Sequence, residues 1–152
     1  MAVNGPRQGE PVEVDRLAAL ELFAELDHYD LAQVARWAHE IRAEPGQLLF
    51  EQGAMPYELL VIEQGQVQVV RDDDVLATLG PGELVGEMSV LRGERRMASV
   101  RALSPVVAIA VAAEDLAEMN DEMPEVVRSM RRITEERRQR NEALGDGAPE
   151  AG

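Results

Sequence analysis

Between Ile41 and Ala112 glycine recurs at positions 46, 53, 65, 80, 82 and 93 and cuts the chain into short runs rich in valine and leucine. Gln47–Glu51, Tyr57–Glu63, Gln66–Arg71, Val75–Leu79, Met97–Ala102 and Val106–Ala112 are the predicted strands. In the third of them Val67, Val69 and Arg71 alternate with Gln66, Gln68 and Val70, a period near two. Glu63-Gln64-Gly65-Gln66 and Asp72-Asp73-Asp74 read as tight hairpin turns. Many short strands joined by glycine turns point to a sandwich, barrel or roll.

The flanks have a different texture. Leu17, Leu20, Phe23 and Leu26 fall at roughly helical spacing, and after a break at 27–30 the spacing resumes with Leu31, Val34, Ala35 and Ala38. This predicts helices over 15–40, with Asp15 and Asp30 as N-caps. After Ala112 the pattern predicts C-terminal helices over 113–141: a short one from Glu114 to Met119, then a longer one with Pro124 in its first turn. Val126, Met130 and Ile133 share one face of that helix, suited to packing on the β region or on a second copy. Residues 1–14 are expected to form a flexible arm and 142–152 a disordered tail, leaving one domain over 15–141.

Composition removes several classes of chemistry. All 15 basic residues are arginine, against 29 Asp and Glu, for a net charge of −14. Without lysine there is no Schiff base and no P-loop; without cysteine there is no disulfide, thiolate nucleophile or Cys–metal site. His28 and His39 are too few for a three-histidine metal centre and are expected on helix surfaces; a cupin-type centre would need histidines on strands. Asp72-Asp73-Asp74 lacks the spaced ligands of a calcium loop and reads as a polar hairpin tip. No catalytic residues and no metal site are expected. The acidic balance repels nucleic acid, and 3% aromatics cannot build a stacking platform for single strands. The longest apolar run, Val106–Ala113, is far short of the ~20 residues that span a bilayer. A cytoplasmic protein without nucleic-acid or membrane contacts is expected, and no enzyme.

One stretch interrupts the β region. Gly86-Glu87-Met88-Ser89-Val90-Leu91 reads as a single helical turn whose first N–H groups lack intrahelical partners, which suits an anion. An arginine on the returning chain would add a planar fork for the same anion, and Glu87 would accept from a hydroxyl. Residues 83–101 carry four arginines against three glutamates, a positive island in an acidic chain; residues 123–141 carry six against three, read as a solvated helix end.

Val85-Gly86-Glu87-Met88-Ser89, followed by Arg96-Met97-Ala98-Ser99-Val100, resembles the phosphate-binding cassette of cyclic nucleotide-binding domains. Leu22–Leu26 resembles that family's entry helix, Pro45–Gly53 its first hairpin, Leu60–Val67 the next strand, turn and strand, and Met123-Pro124-Glu125 the entry to its last helix. The resemblance implies a mainly β fold with flanking helices, a β-roll or jelly roll over 41–112, of the kind that senses ligand in CRP/FNR-type regulators and cyclic nucleotide-dependent kinases. It implies that Glu87 binds the ribose 2′-hydroxyl and Arg96 the cyclic phosphate. Gly86, Met88, Ser89, Met97 and Ser99 would complete the site, with Met130 and Ile133 as candidates to cover the base. Val85 stands where the family has an aromatic, Ser89 where it has a small apolar residue, and Arg95 where proline is common. Met97 occupies the position where some members use a hydroxyl to hold guanine, which tilts the ligand toward cAMP over cGMP, although Ser99 offers a hydroxyl nearby. No further cofactor is implied. The expected partners are the nucleotide and either a second copy joined through the C-terminal helix or another protein. The alternative is an interaction or oligomerisation module that keeps the roll without binding ligand.

Overall fold

The computed structural model describes residues 10–143; the rest of the expected arm and tail lies outside the described residues. In chain order it contains β1 (Glu10–Pro11), α1 (Val14–Ala18), a 3₁₀ turn (Glu21–Phe23), α2 (His28–Ala35), β2 (Ala38–Ala43), β3 (Leu48–Phe50), β4 (Glu58–Gln64), β5 (Val67–Arg71) and β6 (Asp74–Leu79). Then follow β7 (Leu84–Val85), α3 (Glu87–Arg92), β8 (Ser99–Ala102), β9 (Val106–Ala112), α4 (Ala113–Glu122) and α5 (Pro124–Ala143). The strands form two antiparallel sheets, β1-β2-β9-β4-β7 and β3-β8-β5-β6, stacked as a roll with the helices against the outer face of the first.

Strand geometry explains the sequence texture. Successive side chains point to opposite faces. On β4, Leu59 and Val61 join the helical core, whereas Leu60 and Ile62 lie between the sheets. On β9, Ile109 and Val111 face the helices while Ala108 and Ala110 face the second sheet. These strands are buried on both sides and read as unbroken apolar runs. On β5, by contrast, Val67 and Val69 are buried while Gln68 and Val70 are only half-buried, so the alternation shows in the sequence. The hairpin at 72–73 is a two-residue turn with φ of +52° and +69° at Asp72 and Asp73, between paired Arg71 and Asp74. Two consecutive left-handed residues match the right-handed twist of the flanking strands, and aspartate tolerates that conformation better than most.

Several expectations need correction. The helical reading of 15–40 runs too far, because residues 38–40 belong to β2, paired antiparallel with β9 from Ala38↔Val111 to Ala43↔Val106. Ala38 and Ile41 are three apart, a helical spacing, yet they face opposite layers: Ala38 the helices, Ile41 the inter-sheet core. His39 therefore sits on a strand, not a helix; among the described residues no group of three or more metal-binding side chains accompanies it. Part of the expected arm is ordered, since Glu10 and Pro11 pair with Glu40 and His39 and Val12 is buried. The caps also shift. The N-cap of α1 is Glu13, which makes no side-chain cap bond. The N-cap of α2 is Asp27, whose Oδ1 accepts from the Asp30 N–H at 2.8 Å. At the other end, α5 runs on to Ala143. Val126, Met130 and Ile133 are buried in the chain's own helical core, so this stripe is not available as a dimer seam.

Polar ties hold the helices to the sheet. Arg16 of α1 grips Glu63 of β4 with a fork, Nε to Oε2 at 3.0 Å and Nη2 to Oε1 at 2.5 Å, and lies 3.0 Å from Glu40 of β2. Arg42 donates to the other oxygen of Glu40 at 2.7 Å. The Arg42 hydrogen bond, helped by Arg16, holds the Glu40 carboxyl below its ordinary range; Arg140 does the same for Glu21. A carboxylate whose pKa is depressed in the folded state adds stability above its unfolded pKa and loses it as pH falls through the lowered value. The urea midpoint is thus expected to hold from pH 8 to about 5 and to drop below about pH 4.5, near the unperturbed Glu value. Glu40→Gln should flatten part of that drop; an unchanged acid limb would show that the pair contributes nothing.

Candidate binding site

The site is built where β7 gives way to α3. Gly86 makes the transition with φ of +88° as the N-cap of α3, and Gly93 ends the helix with φ of +64°. Gly86 is also needed for space: a Cβ there would lie 2.5 Å from Phe50 Cε2 and 2.6 Å from Arg96 Nη1. Phe50, on β3, supplies the aromatic surface beneath the turn that Val85, fully buried beside it, does not. By their place in the first turn, the N–H groups of Glu87, Met88 and Ser89 have no acceptor within α3. The side chain of Met88 lies outside what the structure describes.

Arg96 is the buried cation of this region, 4% exposed. Its backbone is pinned to the 53–54 loop, donating to Ala54 O at 2.8 Å and accepting from Gly53 N at 2.9 Å. Its guanidinium lies 3.6 Å from the centre of the Phe50 ring. Nη1 donates to Gly86 O at 3.0 Å, and Nη2 donates to the carbonyl of Glu58 on β4. Glu87, 6% exposed, faces Arg138 of α5, with Oε1 3.6 Å from Nη2. Ser89 is buried, and its hydroxyl has no hydrogen-bond partner among the described residues.

α5 lies across this turn. Arg137 reaches Glu83 at 3.2 Å and Pro81 O at 3.4 Å, and Arg140 holds Glu21 at 2.6 Å, while Arg132 pairs with Glu25. Between α3 and α5 opens a cleft of about 450 Å³, with Glu87, Leu91 and Arg92 on one side and Arg131, Thr134, Glu135 and Arg138 on the other. That volume lies within the usual range for small-molecule sites.

The structure thus brings Gly86, Glu87, Ser89 and Arg96 together, with the Met88 backbone in the same turn, and sets Met97, Ser99, Met130 and Ile133 apart. Along 96–100 the chain alternates: Arg96, Ala98 and Val100 are buried, Met97 is 38% exposed, and Ser99 lies on the outward side. The Ser99 hydroxyl accepts from Gln52 N at 2.9 Å and lines a separate small pocket with Val70, Asp72 and Arg101. Met130 and Ile133 face the helical core; Arg131, Thr134 and Arg138, spaced i, i+3 and i+7, turn toward the cassette instead. Sequence reasoning missed Phe50, Glu58 and Arg138. Only Glu58 carried a signal, a lone acid at the head of the run Leu59–Ile62.

The family model for the cyclic nucleotide-binding domain matches residues 40–122, more than half of the chain. This chain belongs to the cyclic nucleotide-binding domain family. Its β-roll with flanking helices carries the family's regulatory fold. The chain is 38% identical over 95 residues to the acetyltransferase Pat of Mycolicibacterium smegmatis, covering 60% of this chain and 28% of that one. A solved cAMP-binding acyltransferase from Mycobacterium smegmatis superposes with a TM-score of 0.69 at 32% identity, covering 86% of this chain and 41% of that one. A cyclic nucleotide-binding domain from Methylobacillus flagellatus KT superposes at 0.72 with 23% identity, covering 84% and 76%. The chain spans about a third or less of the curated relatives it matches. Among the described residues no helix is long and apolar enough to cross a membrane.

Proposed function

We propose that this chain is a regulatory module that binds a cyclic nucleotide at the 86–96 cassette, works in the cytoplasm and prefers cAMP to cGMP. The observation that carries the reading is the meeting of Glu87 and Arg96, both buried, at one glycine-capped turn beside an open cleft. In this reading Arg96 pairs with the cyclic phosphate, the first N–H groups of α3 and the Ser89 hydroxyl complete its cradle, and Glu87 accepts from the ribose. Thr134 and Arg131 take the place of Met130 and Ile133 beside the base. The preference for cAMP is supported by Met97, which offers no hydroxyl, and by Ser99, whose hydroxyl is engaged with Gln52 on the outward side. The module acts through binding alone, without catalysis or a metal, by favouring one arrangement of α5 over another. Isothermal titration with cAMP and cGMP tests this: cAMP should bind more tightly than cGMP, and absence of heat with both at millimolar concentration would overturn it.

The alternative, a ligand-free interaction module, draws support from the protein carbonyls and the Phe50 ring that hold Arg96 in place. It predicts an assembly, with a second copy or another protein, that is indifferent to nucleotide. Sedimentation with and without cAMP separates the two readings.

A further inference from the structure

We infer that Glu58 is a second buried acid of the cassette and that its charge opposes the phosphate, setting the affinity of the site. The inference rests on the proposed binding of cyclic nucleotide. Glu58 is 3% exposed at the head of β4. Leu59 and Val61 turn to the helices and Leu60 and Ile62 to the inter-sheet core, so strand alternation places Glu58 on the inner face, the layer that holds Phe50. Arg96 reaches the same residue, donating to the Glu58 carbonyl. The β4–β7 ladder pairs Leu60 with Val85, so Glu58 lies beyond its last pair, at the end where β7 gives way to α3.

The charges of this region can be counted. Glu58, Glu87 and Arg96 are buried, and Arg138 is mostly so. Two acids face two arginines, a neutral set. Arg92, Arg95, Arg131 and Glu135, the last 3.6 Å from Arg138, also lie near but are exposed and screened by solvent. A cyclic phosphate brings one more negative charge and makes the set net negative in a region of low dielectric, where an unbalanced charge is costly. With Glu58 neutral, the same ligand would balance the site.

Titration of the whole chain and of Glu58→Gln with cAMP tests this, with adenosine as an uncharged probe. Glu58→Gln is expected to bind cAMP roughly tenfold or more tightly than the natural chain, the scale of one charged hydrogen bond, and adenosine no differently. Glu58→Thr is a second neutral variant that suits a strand, and thermal melts confirm that each protein is folded. Equal or weaker cAMP binding by the folded neutral variants overturns the inference and leaves the proposed function standing. An equal gain for adenosine also overturns it, because the effect would then be one of shape. Binding by the variants but not by the natural chain supports it. Silence from all proteins overturns both the inference and the reading beneath it.

Discussion

Arg96→Ala is expected to weaken cAMP binding by between tenfold and more than a hundredfold, since each charge-assisted hydrogen bond lost is worth about 1.5–3 kcal/mol. The change acts on the fold as well. It removes the donor to Gly86 O at 3.0 Å, the donor to Glu58 O and the plate that covers the Phe50 ring. It also removes one buried positive charge from a region that holds two buried acids, Glu58 and Glu87. Breaking a buried charge set costs about 3–5 kcal/mol. Affinity must therefore be measured well below the melting temperature of the variant. Arg96→Lys separates the two effects: it keeps the charge but not the planar fork, so it should retain more stability than Arg96→Ala while still binding cAMP about tenfold more weakly. Titration of both variants is decisive, and a folded Arg96→Ala protein with natural affinity would remove Arg96 from the phosphate site.

Gly65→Ala is expected to destabilise the domain by about 3–4 kcal/mol, more than most single substitutions. Gly65 turns the chain between β4 and β5 with φ of +91°, a region that costs an L-residue about 1–2 kcal/mol. A Cβ there would lie 2.2 Å from Pro105 O and 3.0 Å from Val106 Cα. Both obstacles are backbone, at the connection into β9, the strand shared by β2 and β4. Relief requires movement of the central sheet, and forced overpacking adds about 1–3 kcal/mol. Gly46→Ala is the control. It has nearly the same φ, +87°, with nothing within 4 Å of the added carbon, so it should show the conformational cost alone. Thermal or urea unfolding of the two measures the difference; equal losses would show that Pro105 yields freely.

The fold was largely legible because its local signals are strong. The six predicted strands all appear, and the hairpins at Gly65 and at Asp72–Asp73 fall where glycine and aspartate placed them. The cassette helix begins at the glycine expected to open it. The failures occurred where one spacing serves two geometries. Ala38 and Ile41 fit a helix face as well as two faces of a strand. The meeting of Gly86, Glu87, Ser89 and Arg96 was legible, because they lie within one short stretch of sequence. The site was misread at Met130 and Ile133, because the same apolar stripe suits a ligand lid or a core. Which it became depended on where α4 and the 3₁₀ turn packed.

By itself the sequence determined six of the strands, the turns that glycine and aspartate require, and the presence of a carboxylate and an arginine nine residues apart beside a helical turn. These are local properties, set by backbone sterics and by the period of apolar residues. The tertiary structure decided which residues meet. β9 made a strand of Ala38–Ala43, the Arg96 bond to the Glu58 carbonyl tied β4 to the cassette, and the ion pairs of Arg137 and Arg140 laid α5 so that Arg138 rather than Met130 faces Glu87. Those meetings join segments 30 to 120 positions apart, and a one-residue slip in register would send each side chain to the opposite face. No short window of sequence contains that information.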